Sequence, residues 1–165
     1  MAITIRPMQK ADLQRLAEIY VDVYTAFDVG ERWTTATAKQ LLSYWLDKQP
    51  DLAFVAAYEN KIVGAFLSGI KPWWDGNHLF DGELFVHPDY QKKGIGTELS
   101  KALYQKAVET YNVTHFDAHT FRKTEFPLKW YKAQGFMVNE DWVMISGDVK
   151  KVMGKLRKHH FSSLS

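Results

Sequence analysis

The stretch whose reading decides the fold is Glu83-Leu84-Phe85-Val86-His87-Pro88-Asp89-Tyr90-Gln91-Lys92-Lys93-Gly94-Ile95-Gly96-Thr97. An apolar strand ends at Pro88, and a helical period begins near Thr97. Between them lie two glycines and two lysines. Glycines let successive backbone N–H groups turn into one concavity. The helix N-terminus adds partial positive charge, and Lys92 and Lys93 add full charges. This is the physics of a phosphate cradle, although an ordinary strand-to-helix turn has the same outline. Two other glycine loops do not fit. A P-loop needs glycine at 89, which is Asp89, and a lysine and hydroxyl after the last glycine. The dinucleotide fingerprint needs a third glycine at 99, which is Leu99.

Outward from this loop the period of apolar residues assigns the rest. Residues 3–8 read as a strand that Pro7 confines to an edge or an end. Leu13, Leu16, Ala17, Tyr20, Val23, Tyr24 and Phe27 share one helical face, as do Ala38, Leu41, Leu42, Trp45 and Leu46 in a second helix that Thr37 can cap. Residues 28–35 join them as a loop. Short apolar runs at 51–59, 61–70 and 78–86 read as strands, with Asn60 at a hairpin turn and a loop at 71–76. A helix follows over 97–111 and a strand over 113–121. The next helix covers 125–134, with Thr124 to cap it, Pro127 in its first turn and Gly135 beyond its end. Residues 136–140 and 142–149 read as a closing hairpin. The order is β α α β β β α β α β β. It predicts one mixed α/β domain over 1–149. In the tail over 150–165, Val152, Met153 and Leu156 continue a helical stripe from Val149, which predicts a short amphipathic helix. Whether it packs on the body or on a second subunit, as in a homodimer, is left open.

The 165 residues are enough for one domain that buries roughly 70% of its unfolded surface. With 46% hydrophobic and 24% charged residues the chain is not disordered. No cysteine is present, which excludes disulfides, thiolate metal sites and a cysteine nucleophile and fits a cytoplasmic location. No apolar run is long enough for a membrane span. The net charge of +2 conceals an asymmetry, because Lys150, Lys151, Lys155, Arg157 and Lys158 stand in the tail without an acid. Removing these five from 21 basic residues leaves 16 against 19 acidic ones. A nucleic-acid partner is therefore not expected, because such binders carry basic residues on the folded body.

The run from Val86 to Leu99, V-x-P-x-Y-Q-x-x-G-I-G-x-x-L, resembles the acyl-coenzyme A signature of the GNAT superfamily of N-acetyltransferases. Trp130-Tyr131-Lys132-Ala133-Gln134-Gly135-Phe136 is similar to the end of that family's fourth helix, and the element order matches over about residues 3–149. The resemblance implies a GNAT fold, an α/β domain with a mixed, mostly antiparallel central sheet flanked by helices, and acetyl-CoA as co-substrate. It implies that the amides of Gln91, Lys92, Lys93, Gly94, Ile95 and Gly96 hold the pyrophosphate, helped by the Thr97 hydroxyl. It also implies that the strand edge at Leu84, Phe85 and Val86 pairs with the pantetheine arm, and that Tyr131 stands near the sulfur as general acid. Thr124 departs from the pattern, since many members carry asparagine there.

Acetyl transfer to an amine needs a neutral amine, a polarised carbonyl and a protonated leaving thiolate. Glu83 is the candidate acceptor for the amine's proton, and Asp81, two residues away along a strand, is placed on its face. Trp73 and Trp74 in the 71–76 loop, with Asp28, Glu31 and Trp33 between the first helices, combine aromatic faces with acids. That suits a small cationic amine of the polyamine or aminoglycoside kind, although tryptophans also serve in cores and interfaces. Protein lysine or N-terminal acetylation and a non-catalytic acyl-CoA-binding module are the alternatives. His115, Asp117 and His119 alternate along a strand, but nothing near them supports a metal, so none is expected. His87, His159 and His160 read as surface residues.

Overall fold

The computed structural model of the chain describes residues 3–122 and 124–162. They fall into two compact units, the first running through His119 and the second starting at Thr120. Among the described residues no helix is long and apolar enough to cross a membrane.

The first unit holds β1 (Ile3–Pro7), α1 (Leu13–Phe27), α2 (Thr35–Lys48), β2 (Ala53–Tyr58), β3 (Lys61–Trp73), β4 (Gly76–Val86), α3 (Ile95–Tyr111) and β5 (Val113–Asp117). The five strands form one sheet in chain order. Three junctions are antiparallel and β4–β5 is parallel, which gives the mixed, mostly antiparallel sheet that the family resemblance implies. Pro7 ends the edge strand β1, where a missing donor does least harm. On one face α1 and α2 pack Leu16, Ile19, Tyr20 and Leu42 against Val55, Leu67 and Phe85. On the other, α3 packs Ile95, Leu99 and Leu103 against Val63, Phe66 and Leu79.

Several local expectations need correction. The cap of α2 is Thr34, whose hydroxyl accepts from the Thr37 N–H at 3.2 Å while its own N–H donates to Thr37 Oγ1 at 3.0 Å. The two threonines form a reciprocal box, so Thr37 lies inside the helix it was expected to start. The 71–76 loop is instead the closed end of a long hairpin, in which Trp73 pairs with Gly76 around Trp74 and Asp75. β5 ends at Asp117, four residues short of the predicted strand.

A bulge interrupts β3–β4. Leu67 pairs with Glu83 and Gly69 with Phe80, so Ser68 alone faces Asp81 and Gly82. Asp81 and Gly82 both take left-handed backbone, with φ of 53° and 123°. A Cβ at Gly82 would lie 2.1 Å from the Leu67 carbonyl oxygen, so only glycine fits. The buried Ser68 hydroxyl donates to the Asp81 carbonyl at 2.7 Å and satisfies the group the bulge frees. Strict alternation from Asp81 to Glu83 therefore does not hold.

The second unit holds α4 (Glu125–Ala133) and α5 (Val149–Ser162). Thr124 makes no side-chain cap, and its hydroxyl is buried without a partner among the described residues. Phe126 sits before Pro127 with extended backbone, which breaks the first turn. Gly135, with φ of 95°, closes α4 as expected. Residues 136–148 form no strand, and the predicted hairpin is absent. Their strand-like composition finds no ladder, and Met137, Val143 and Ile145 are exposed. The predicted tail helix is present as α5, where Asp148 Oδ1 accepts from the N–H groups of Lys150 and Lys151. Its Val149 and Leu156 are exposed. The side chains of Lys158, His159 and His160 lie outside the described residues.

Candidate active site

The bulge and the register of β4 aim Glu83 toward α1. The Tyr20 hydroxyl donates to Glu83 Oε2 at 2.8 Å. Phe85, two residues along, presents its ring to Tyr20 edge-on at 5.1 Å. Tyr20 also stacks on Tyr24 at 4.6 Å and meets Trp33 edge-on at 5.2 Å. The Trp33 indole N–H donates to Glu31 Oε2 at 2.6 Å. Glu83, Glu31, Trp33 and the two tyrosines thus come from three separate segments into one acidic, aromatic cluster.

Electrostatics follow from this burial. Desolvation pushes the Glu83 carboxyl up to about 7, the negative charges of Asp81 and Glu31 push the same way, and the Tyr20 hydrogen bond opposes them. The buried Trp45 indole has no well-formed hydrogen bond among the described residues, yet it also favours the Glu83 carboxylate. Burial first, and then the Glu83 charge, hold the Tyr20 phenol far above its ordinary value, so its hydroxyl stays a donor. Tyr24 is pushed up to about 12, chiefly by burial. A carboxyl poised near neutrality can take or give a proton at physiological pH.

Asp81 reaches Glu83 through its charge, not by sharing its alternation. Its Oδ2 meets His119 Nδ1 at 3.0 Å. Asp28 ends α1 and pairs with Arg32 at 3.0 Å in solvent. The Trp73 ring is covered by the Lys71 ammonium at 4.0 Å, and Trp74 is 86% exposed at the hairpin turn. The structure therefore gathers Glu31, Trp33, Asp81 and Glu83, and leaves Asp28, Trp73 and Trp74 elsewhere. Tyr20 and Tyr24 were missed because their spacing reads as the apolar face of a helix. Their hydroxyls on that face were the available signal.

The glycine loop has the cradle form. Lys92 and Gly94 take left-handed backbone, with φ of 60° and 81°, and α3 begins at Ile95. The Glu98 N–H donates to the Gly94 carbonyl at 3.1 Å. The amides of Ile95, Gly96 and Thr97 precede that bond and have no partner inside the helix. Nothing lies within 4 Å of the place a Gly94 Cβ would take. Ile95 itself is anchored in the core. The Gln91 side-chain amide donates to the Val86 carbonyl at 2.9 Å and braces the loop against β4. The Lys93 ammonium sits 5.0 Å from the Tyr58 and Tyr90 ring centres. His87 accepts from the Asp89 N–H at 3.2 Å, and it is half-buried.

β4 pairs with β5 only from Asn77 to Phe80. Among the described residues, the β5-side edge of Leu84, Phe85 and Val86 has no ladder partner in the first unit, so it can accept an extended amide-bearing chain. Tyr131 belongs to the second unit, where its ring meets Trp130 at 5.0 Å and Phe136 at 5.3 Å.

Comparison with known proteins bears on the family and the fold. The family model described as acetyltransferase (GNAT) family matches residues 13–136. A spermine/spermidine N(1)-acetyltransferase of Bacillus subtilis is 28% identical over 86 residues, which is 50% of this chain and 57% of that protein. An L-amino acid N-acyltransferase of Escherichia coli is 31% identical over 117 residues, 64% of this chain and 63% of its own length. The chain thus spans less than two thirds of these curated relatives. Among solved structures, an aminoglycoside N-acetyltransferase in complex with CoA superposes with a TM-score of 0.68 at 19% identity, covering 89% of this chain and 95% of that one. A possible acetyltransferase from Clostridium difficile gives 0.72 at 16% identity, covering 90% and 98%.

Proposed function

The chain belongs to the acetyltransferase (GNAT) family, and we propose that it moves the acetyl group of acetyl-CoA to the primary amine of a small cationic substrate of the polyamine or aminoglycoside kind. The observation that carries this reading is the Glu83 carboxyl, titrating near 7 amid Tyr20, Tyr24, Trp33, Glu31 and Asp81. Aromatic faces and carboxylates together favour an ammonium ion, by cation–π and ion-pair contacts. The same carboxylates repel the α-carboxylate of a free amino acid.

Acetyl-CoA supplies the activated acyl group and a thiolate as leaving group. The amides of Gln91 to Gly96 and the Thr97 hydroxyl bind its diphosphate, with the α3 dipole behind them. Lys93 contributes its amide, since its ammonium is occupied by tyrosine faces. The open edge at Leu84, Phe85 and Val86 holds the amide groups of the arm and offers an N–H to the acyl carbonyl. Glu83, ionised above about pH 7, takes the proton from the substrate ammonium so that the nitrogen lone pair is free to attack. Tyr20 orients that carboxylate. Tyr131, by its place in the family motif, returns a proton to the sulfur. No cysteine is present to form a cysteinyl acyl-enzyme, which favours direct passage of the acetyl group in a ternary complex.

Thiol release from acetyl-CoA, measured over polyamines, aminoglycosides, free amino acids and lysine peptides, tests the proposal. Polyamines or aminoglycosides are expected to exceed amino acids and peptides in kcat/KM by about tenfold or more, the worth of one ion pair at 1.4 kcal/mol. Preference for peptides would favour protein acetylation, and CoA binding without turnover would favour a sensing module.

A further inference from the structure

His78 in β4 and His115 in β5 are register partners across the parallel ladder, so both side chains leave the same face of the sheet. Their rings stack with centroids 4.7 Å apart and 29° between planes. His78 is 5% exposed. Its Nδ1 lies 2.6 Å from Asp117 Oδ2 and its Nε2 lies 2.9 Å from Asp75 Oδ1. Ionised carboxylates only accept hydrogen bonds, so two of them on one imidazole require a hydrogen, or another cation, at both nitrogens. His115 Nδ1 is engaged by Thr114 Oγ1 at 3.0 Å, which leaves its Nε2. The ligand atoms that Asp75, His78 and His115 offer all lie within 4.8 Å of one another. This is not the His115, Asp117 and His119 set that alternation suggests, because β5 ends at Asp117 and His119 turns to Asp81.

We propose that Asp75, His78 and His115 form a binding site for a divalent transition metal of the zinc type, with Asp117 fixing the His78 ring from behind. Two imidazoles and one carboxylate are a donor set for zinc and its neighbours, not for magnesium or calcium, which prefer oxygen. Asp117 on the Nδ1–H leaves the Nε2 lone pair for the ion, the carboxylate–histidine arrangement that orients metal-binding imidazoles. The ion takes the place between His78 Nε2 and Asp75 Oδ1 that a proton otherwise fills. Zinc bonds of about 2.0–2.2 Å put ligand atoms roughly 3.3 Å apart, so the 2.9 Å pair of His78 Nε2 and Asp75 Oδ1 opens slightly and the widest separation, up to 4.8 Å, closes by roughly 1.5 Å. Asp75 and His115 are exposed and can shift toward the ion, whereas His78 is buried and held by Asp117. Water completes the coordination.

The site ties three pieces together. Asp75 lies in the β3–β4 turn, His78 in β4 and His115 in β5. It bridges the stretch where β4 and β5 are paired, between Asn77 and Phe80, and leaves the unpaired edge beyond Asp81 alone. The proposed ion is a clip on the β3–β4 turn and the last strand, with no part in acetyl transfer.

The test uses the full chain carrying His159→Ala and His160→Ala, so that the tail histidines do not contribute. After chelator treatment, Co2+ is titrated by visible absorption, Zn2+ by competition, and thermal stability is followed in parallel. The proposal predicts one Co2+ per chain with the intense bands of a four-coordinate site, a higher melting temperature with Zn2+, and weakening of about a hundredfold in His115→Ala and tenfold in Asp117→Asn. Asp75→Asn serves as a second ligand variant on the exposed turn, and circular dichroism checks that each variant is folded. Absence of stoichiometric binding at micromolar Zn2+, or binding undiminished in both His115→Ala and Asp75→Asn, would overturn it.

Discussion

Tyr20→Phe removes the hydroxyl that donates to Glu83 Oε2 and keeps the ring that packs on Tyr24, Trp33 and Phe85. That hydrogen bond holds the Glu83 carboxyl down against burial, so its loss sends the titration further up. The rising limb of kcat/KM against pH is expected to move about one unit to the alkaline side, the equivalent of a hydrogen bond worth about 1.4 kcal/mol. An unmoved limb would mean that Tyr20 only fills space. Tyr131→Phe is expected to lower kcat about a hundredfold, the low end for a general acid, with calorimetric affinity for acetyl-CoA unchanged. Wild-type kcat where chemistry limits the rate would remove Tyr131 from the mechanism. The position of Glu83 was legible in the sequence because it is an acid near the end of the strand that leads into the glycine loop. Its partner Tyr20 was not, since one period of 3.6 describes a core residue and a buried hydrogen-bond donor alike. Asp81 was assigned by alternation, which a bulge of one residue is enough to break.

Among elements, the bulge and the loop carry the site, and each can be perturbed separately. Gly82→Ala forces a Cβ onto the Leu67 carbonyl and into left-handed backbone. It is expected to cost about 2 kcal/mol or more, read as a lower denaturation midpoint with unchanged slope. In the loop, any side chain at Gly94 is strained by its φ, whereas Gly96 is helical, so Gly96→Glu tests charge more cleanly. It is expected to weaken acetyl-CoA by at least about tenfold, one like charge at a helix N-terminus being worth roughly that factor. Unchanged affinity in the folded variant would count against the cradle. The loop was readable because glycine, proline and lysine spacing is local information. The strand ends were not, because ladder length depends on a partner. β3 and β4 extend to a turn at Trp74 and Asp75 that composition marked as loop, and residues 136–148 have strand composition without a ladder. Thr37 was read as the cap because a hydroxyl before an apolar stripe can begin a helix, and only the extended backbone of Thr34 shows that the helix starts three residues earlier.

Across the first unit as a whole, two apolar cores flank one sheet, and the site lies where α1 meets β4 on the α1/α2 face. The order of elements through α4 was legible because apolar period and length separate helices from strands, whereas the closing hairpin did not form and the sense of the sheet came from the family resemblance. Burying Glu83 there opposes folding whenever it is ionised. Its folded value of about 7 lies above the ordinary 4.5, so its contribution is most favourable below about pH 4.5 and is lost as pH rises toward 7. Glu83→Gln removes this dependence, and at pH 8 the variant is expected to be more stable than wild type by on the order of 2 kcal/mol, allowing for partial solvent access. Equal melting temperatures at pH 4 and pH 8 in both proteins would argue against the buried charge. Acetyl transfer here turns on that same carboxyl deprotonating the acceptor, and the pH dependence of kcat/KM for the preferred amine, in wild type and Glu83→Gln, measures this directly. Wild type is expected to rise along a limb with a midpoint near 7 that is absent from a much slower Glu83→Gln enzyme, with acetyl-CoA affinity the same in both. Superimposable profiles in the two proteins would contradict it.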